Sequence, residues 1–341
     1  MKAIAITQKL PLDHPECFVE LDLPDPVPGP NDLLVRVKAV AVNPVDYKVR
    51  QSRKDEETEP KILGWDAAGI VEAVGSDVKH FRRGDQVYYA GDITRPGCNA
   101  ELQLVDERIV AKKPASLDFA AAAALPLTAI TAWECFFERL GLSAGDLKEG
   151  KGKTLLIIGG AGGVGSIGIQ IATALTGFTV IATASRPETV EWCRKMGAHR
   201  VIDHSVDWTA ELEKRGIPTV DYIACFADTN AHWANMAKAI VPQGKITAIV
   251  ESSTVPDIGL MKAKSVTFSW EFMFTRSMFQ TPDMISQHDL LKELATLVDA
   301  GRIFSTMKEH GGKLTPASLA QAHRDLESGG MIGKRVFETT W

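Results

Sequence analysis

The chain has 341 residues, 45% of them hydrophobic and 24% charged, with a net charge of −5. That length and apolar content can supply the cores of about two domains. The mild acidic balance and the lack of a long basic block exclude a generic electrostatic pull toward nucleic acid or an anionic membrane. Five scattered cysteines (Cys17, Cys98, Cys135, Cys193 and Cys225) form no C-x-x-C pair, which argues for free thiols in a reducing compartment rather than a disulfide framework. The first residues lack the apolar core and cleavage site of a secretory signal. No apolar run of about 18 or more residues lacks strong breakers, so the expectation is a cytoplasmic protein without a membrane span.

Taken in chain order, "MKAIAITQK" alternates like a strand. "LLVRVKAVAV" (Leu33–Val42) alternates, then becomes continuously apolar. The charged run "RKDEETE" at 53–59 is mixed in sign and reads as a solvated loop. "GIVEAVG", "GDQVYYAGD" and "ELQLVDERIV" follow, punctuated by Gly, Asp and Pro. Strands spaced by turns predict an antiparallel, barrel-like domain. The texture changes at "DFAAAAALPLTAITAWECFFERLG", an Ala-rich helix interrupted by Pro126. From Lys153 strands and helices alternate: "TLLIIGG", then "GVGSIGIQIATALTG" as a helix ended by Gly177, then "TVIATAS". "PETVEWCRKMG" is a helix with Pro187 in its first turn. "VDYIACFA" and "GKITAIV" are strands separated by the helix "NAHWANMAKAIV". This rhythm predicts an α/β fold, a doubly wound parallel sheet. "SVTFSWEFMF" reads as an aromatic strand, "HDLLKELATLVDAG" as a helix, and "LTPASLAQAHRDLESGG" as a helix opened by a Thr cap and Pro.

Residues 160–165 read G-A-G-G-V-G, a match to G-x-G-x-x-G between an apolar strand and a helix. Gly160, Ala161, Gly162, Gly163, Val164 and Gly165 are therefore the candidate cofactor loop. Gly162 and Gly163 let the backbone approach a pyrophosphate, Gly165 lets helix and strand pack closely, and the helix N-terminus offers free N–H groups to the anion. An NAD-binding chain places an acid about 20 residues on. Here the second strand ends Thr183-Ala184-Ser185-Arg186. A hydroxyl followed by a guanidinium suits a 2′-phosphate, so the expected cofactor is NADPH, with Ser185 and Arg186 as its discriminating contacts. The bland reading of Arg186 is an exposed arginine at a helix start.

With these residues in hand, the chain resembles the medium-chain dehydrogenase/reductase superfamily, and within it the quinone oxidoreductase branch. The resemblance covers nearly the whole length. It rests on "NPVDYK" at 43–48, the glycine frame at 64–78, "GDQVYY" at 84–89, "LPLTAITAWE" at 125–134 and the nucleotide loop. It implies a GroES-like β-rich catalytic domain from residues 1–124 and 280–341, around a Rossmann domain at 125–279. It also implies that "SVTFSWEFMF" joins two subunits as a homodimer, since an unpaired apolar edge is a liability in a monomer.

Catalytic zinc needs about three protein ligands. Zinc enzymes of this family carry Cys where this chain has Asn43, His and Glu where it has Trp65 and Asp66, and a further Cys near Leu125–Pro126. The four clustered cysteines of a structural zinc are represented only by Cys98. No zinc is expected, and the histidines show no ligand-like pair.

Hydride transfer without a metal suits a quinone or an α,β-unsaturated carbonyl, whose growing oxyanion needs a hydrogen-bond donor and a proton. Lys48 is the first candidate, acting on the oxyanion or on the cofactor ribose, against the reading of an ordinary solvated lysine. Tyr47 is an alternative proton donor. Asn43 is a candidate amide or water contact facing the nicotinamide. Asp46 is expected to orient its loop rather than act as a base. The resemblance places Thr128 beside the nicotinamide, Phe226 near the cofactor, Gly333 and Lys334 approaching the cofactor, and Trp65-Asp66 as the wall of a metal-free cleft. Two alternatives stay open: an alcohol dehydrogenase acting on an alcohol/aldehyde pair, and a non-catalytic NADPH-binding sensor or structural protein.

Overall fold

In the computed structural model, which describes every residue except Ser253, the chain divides into two units. The first is Met1–Leu127 with Phe274–Trp341, and the second is Thr128–Met273. The first unit begins with β1 (Lys2–Ile6), β2 (Val19–Asp22), β3 (Asp32–Ala41), α1 (Pro44–Ser52), β4 (Lys61–Ile62) and β5 (Ala67–Val74). It continues through β6 (Gln86–Tyr89), β7 (Leu102–Asp106), β8 (Val110–Lys112) and α2 (Phe119–Ala123), and the boundary falls within α3 (Pro126–Trp133). Pro126 therefore starts a helix, where its missing N–H costs nothing, instead of interrupting one.

The second unit holds β9 (Thr154–Ile158), α4 (Gly163–Leu175), β10 (Thr179–Thr183), α5 (Pro187–Lys195), β11 (Arg200–Ile202), α6 (Trp208–Lys214), β12 (Val220–Cys225), α7 (Thr229–Ala239), β13 (Ile240–Ala248), α8 (Gly259–Lys262) and β14 (Thr267–Trp270). The chain returns to the first unit with α9 (Thr275–Phe279), α10 (Ser286–Asp299), β15 (Met307–Lys313), α11 (Pro316–Glu327) and β16 (Lys334–Glu338).

The second unit is the doubly wound sheet that the alternating pattern predicts. Its six strands run β11-β10-β9-β12-β13-β14, and every neighbouring pair is parallel. Strand order reverses between β9 and β12, so the segments after these two strands flank the crevice where such sheets take ligands. Residues Leu155–Ile158 are fully buried, as a strand covered on both faces requires. Ile158, Ile223, Trp208, Trp233, Met236 and Ile246 share one apolar cluster. The aromatic strand is shorter than expected: β14 stops at Trp270. It forms the sheet edge, with Trp270 and Phe272 about half exposed.

In the first unit the main sheet runs β15-β16-β3-β5-β6-β8, with β7 also on β3. It is antiparallel except for the β15–β16 pair. The register puts Val336 opposite Ala41 and Ala67 opposite Val40. Lys334 and Asp66 therefore reach the end of β3 from its two sides, where the chain turns into α1.

One expectation is corrected. Arg53, read as part of a solvated loop, is only 2% exposed. Its guanidinium donates to the carbonyls of Thr7, Glu57 and Glu59 at 2.7–2.9 Å and ties the loop down. One apolar stretch, Phe119–Arg139, is long enough to cross a membrane by length and hydropathy alone; it contains Pro126, and 83% of its apolar window is buried inside the protein.

Candidate functional site

In the second unit the glycine loop at 160–165 leads from β9 into α4. Gly162 caps α4 with extended backbone, so the first-turn N–H groups of Gly163, Val164 and Gly165 have no acceptor within the helix. Ala161 is buried, whereas Gly162, Gly163 and Val164 are partly exposed. A Cβ on Gly160 would lie 2.8 Å from the Ala182 Cβ, and one on Gly165 only 2.2 Å from the Gly159 carbonyl. A Cβ on Gly162 would meet nothing among the described residues closer than the Gly159 carbonyl oxygen at 3.6 Å, leaving that face open. These residues fit a dinucleotide pyrophosphate: two glycines hold the turn and a third keeps the approach clear.

The loop is anchored to β10. Thr183 accepts from the Gly160 N–H through its carbonyl and from the Gly159 N–H through its hydroxyl, both at 3.0 Å. The same hydroxyl pairs with His204 Nδ1 at 2.8 Å. Burial lowers the His204 pKa, which favours the neutral ring. Thr183 and His204 were not among the candidate residues, and only the position of Thr183 at a strand end signalled this role. Ser185 and Arg186 follow at the exposed end of β10, with no acid in "TASR". The Arg186 N–H donates to Thr189 Oγ1 at 3.0 Å and opens α5. Phe226, partly exposed, follows β12 and stacks obliquely on Phe136 with centroids 6.2 Å apart. Thr128 lies in α3 and is 2% exposed.

In the first unit "NPVDYK" is the start of α1. Asp46 Oδ2 accepts from the Asn43 N–H at 2.7 Å, and the Asp46 N–H donates to the Asn43 carbonyl at 3.0 Å, which fixes the helix N-terminus. Asp46 thus orients the segment. Tyr47 and Lys48 sit half-buried in the next turn. Asn43 is 1% exposed and its carboxamide is committed inward. Its Nδ2 lies 3.0 Å from Asp66 Oδ2 and 3.3 Å from the Trp65 carbonyl, and its Oδ1 accepts from Lys334. The expected contact with nicotinamide or water gives way to a place in the protein interior.

The same holds for Trp65, Asp66 and Lys334. Trp65 and Asp66 are fully buried, so they do not form an open wall. The indole of Trp65 donates to the Asp92 carbonyl at 3.1 Å and meets Phe274 edge-on with centroids 6.3 Å apart. Lys334, expected to approach the cofactor, turns inward. Its Nζ lies 3.0 Å from Asp66 Oδ2 and 2.8 Å from the Val42 carbonyl. In "GKRVF" its i, i+2 spacing from the buried Val336 was the available signal. Asp66 Oδ1 accepts from the Leu127 N–H at 2.8 Å. Burial pushes the Asp66 carboxyl up while Lys334, Leu127 and Asn43 pull it back. Its hydrogen-bond partners among the described residues are donors, which fits the ionised form.

Asp46 is different. Its Oδ1 is buried with no hydrogen-bond partner among the described residues, and burial, aided by the nearby Asp66 carboxylate and opposed by the Asn43 N–H and by Lys334, raises its pKa from 3.8 to about 7. Stability carried by the neutral carboxyl is therefore whole below the unfolded value and lost as pH rises through the folded one. This group is expected to cost the wild type about 2–3 kcal/mol between pH 5 and pH 8. Asp46→Asn keeps an oxygen for the Asn43 N–H and escapes that loss. Urea unfolding of both proteins at the two pH values measures the difference, and equal pH slopes would contradict it.

A zinc ion does not fit the residues at these positions. Asn43, Trp65 and Asp66 offer one carboxylate, already paired with an ammonium. Among the described residues no group of three His, Cys, Asp or Glu side chains is placed to hold a metal.

Comparison with known proteins supplies the lineage. Residues 29–115 match the alcohol dehydrogenase GroES-like domain family, and residues 196–337 match the zinc-binding dehydrogenase family. A zinc-type alcohol dehydrogenase-like protein of Staphylococcus aureus (strain MSSA476) is 45% identical, covering 98% of this chain and 99% of that one. A chloroplastic NADPH-dependent alkenal/one oxidoreductase of Arabidopsis thaliana is 30% identical over 90% of this chain and 72% of its own length. A crystal structure from Rhizobium etli CFN 42, of a protein assigned by name to the zinc-dependent alcohol dehydrogenases, superposes with a TM-score of 0.94 at 50% identity, covering 100% of this chain and 98% of that one. The fold, the glycine loop and these relatives agree: this chain is an oxidoreductase of the medium-chain dehydrogenase/reductase superfamily, in its zinc-type alcohol dehydrogenase-like group.

Proposed function

We propose that the protein transfers hydride from NADPH to a quinone or an α,β-unsaturated carbonyl, without zinc. The observation that carries the reading is the internal Asn43–Asp66–Lys334 cluster, where a lysine ammonium balances the Asp66 carboxylate beside two of the positions at which the family resemblance would place zinc ligands. A conjugated acceptor is the substrate class that least needs Lewis-acid activation. The alkenal/one oxidoreductase among the relatives supports both the substrate class and the cofactor.

NADPH, when bound, supplies the hydride. Gly160–Gly165 and the N-terminus of α4 hold the pyrophosphate, Ser185 and Arg186 take the 2′-phosphate, and Thr128 and Phe226 border the nicotinamide. Lys48 stabilises the growing oxyanion and Tyr47 is the alternative proton donor. Asn43 acts from the interior, through the helix that carries both.

The test is NADPH and NADH oxidation against a panel of quinones, alkenals and aldehydes, with alcohol oxidation in parallel and the metal content of the protein measured. Lys48→Ala is expected to lower kcat by about 10–100-fold on the best acceptor. Unchanged turnover in that variant removes Lys48 from the mechanism. Stoichiometric zinc with chelator-sensitive alcohol oxidation would replace the reading with an alcohol dehydrogenase. Tight NADPH binding without turnover across the panel would replace it with a non-catalytic binding protein.

A further inference from the structure

In the first unit β16, β3 and the segment before β5 converge on one buried ammonium. Lys334 is 2% exposed, and its Nζ has three oxygen acceptors: the Val42 carbonyl, Asn43 Oδ1 and Asp66 Oδ2. An ammonium has three protons, so the set is complete. A carboxylate, a carboxamide oxygen and a backbone carbonyl are the donor types that hold a hard cation. Here the chain fills that place with a cation of its own.

The Asn43 carboxamide is gripped at both ends, its oxygen by Lys334 and its nitrogen by Asp66. Asn43 is also the residue that caps α1. The ammonium therefore holds the first turn of α1 to the end of β3, one turn ahead of Tyr47 and Lys48. Cys98 reports on the same place. It is 1% exposed and its Sγ donates to the Asp66 carbonyl at 3.4 Å.

We infer that Lys334 is a positioning residue: its ammonium takes the part of a bound cation and fixes the N-terminus of α1, and so the placement of Tyr47 and Lys48. For its effect on turnover the inference rests on the reductase reading. For its effect on structure it does not.

The experiment compares the wild type with Lys334→Met and with the neutral pair Lys334→Met/Asp66→Asn. It reads the unfolding temperature, the rate of Cys98 labelling by a thiol reagent resolved by mass spectrometry, the NADPH dissociation constant, and kcat and KM on the best acceptor. Lys334→Met strands the buried carboxylate and is expected to unfold at lower temperature or fail to fold. The double variant removes both charges and restores folding. It still leaves Asn43 without its ammonium, so Cys98 labelling stays about 10-fold faster than in the wild type. Its kcat is expected to be about 10-fold lower, with NADPH affinity within about twofold of wild type.

Wild-type labelling and kcat in the double variant would overturn the inference, because the pair would then be charge balance alone. NADPH affinity falling in step with kcat would overturn it too, since the defect would be general. A wild type with no turnover on any acceptor defeats the reductase reading, and the labelling rates then decide the role of Lys334.

Discussion

Gly165→Val is expected to abolish NADPH binding, raising the dissociation constant at least about 100-fold. A Cβ at this position would lie 2.2 Å from the Gly159 carbonyl oxygen and 2.7 Å from both Gly160 Cα and its carbonyl carbon. All three are backbone atoms, so no rotamer change relieves the clash. The turn itself must move, and the turn is tied to β10 by the Gly159 and Gly160 N–H groups on Thr183. Moving it breaks those bonds and spoils the aim of the α4 N-terminus at the anion. Gly162→Ala is the contrasting variant. Its Cβ meets nothing closer than 3.6 Å, so the fold should persist, and any loss, of about 10-fold, reports crowding of the phosphate approach. Fluorescence titration with NADPH, alongside circular dichroism, separates the two. Binding by Gly165→Val within about fivefold of wild type would refute the loop as the phosphate site.

The doubly wound unit was legible because its signals are local. A continuous apolar strand, a glycine loop and an amphipathic helix each announce themselves within a dozen residues, and β9, the loop and α4 lie where those signals place them. Thr315 likewise caps α11 through a bond from the Ser318 N–H at 3.1 Å, as Thr-Pro ahead of an amphipathic run predicts. The first unit was harder to read because its chemistry is assembled from distant segments. Asn43, Asp66 and Lys334 are separated by 23 and 291 residues in the bonds they make. No window contains them together, and only strand register brings them to one point. The residues at Asn43 and Trp65-Asp66 led to the expectation that no zinc is bound. They gave no sign of the ammonium that pairs with Asp66. Arg53 misled for the same reason: a guanidinium in a charged run reads as solvated until the three carbonyls around it are known.

Asp66→Ala is expected to destabilise the protein by about 3–5 kcal/mol, the typical cost of stripping one partner from a buried ion pair. Three groups lose an acceptor at once: the Lys334 ammonium at 3.0 Å, the Asn43 Nδ2 at 3.0 Å and the Leu127 N–H at 2.8 Å. Asp66 is fully buried and the Lys334 side chain nearly so, so water does not replace the lost carboxylate and added salt does not screen the loss. Asp66→Asn should cost less, because its carboxamide oxygen can still accept from Leu127. The charge component is isolated by a double-mutant cycle with Lys334→Met. Removing the ammonium should recover a large part of what Asp66→Ala loses, since the penalty lies in the unpaired cation rather than in the missing atoms. The cycle is read by urea unfolding at low and high salt. Additive losses, or a loss that fades as salt rises, would mean that the pair is neither coupled nor shielded, and the interior cation would lose its structural basis.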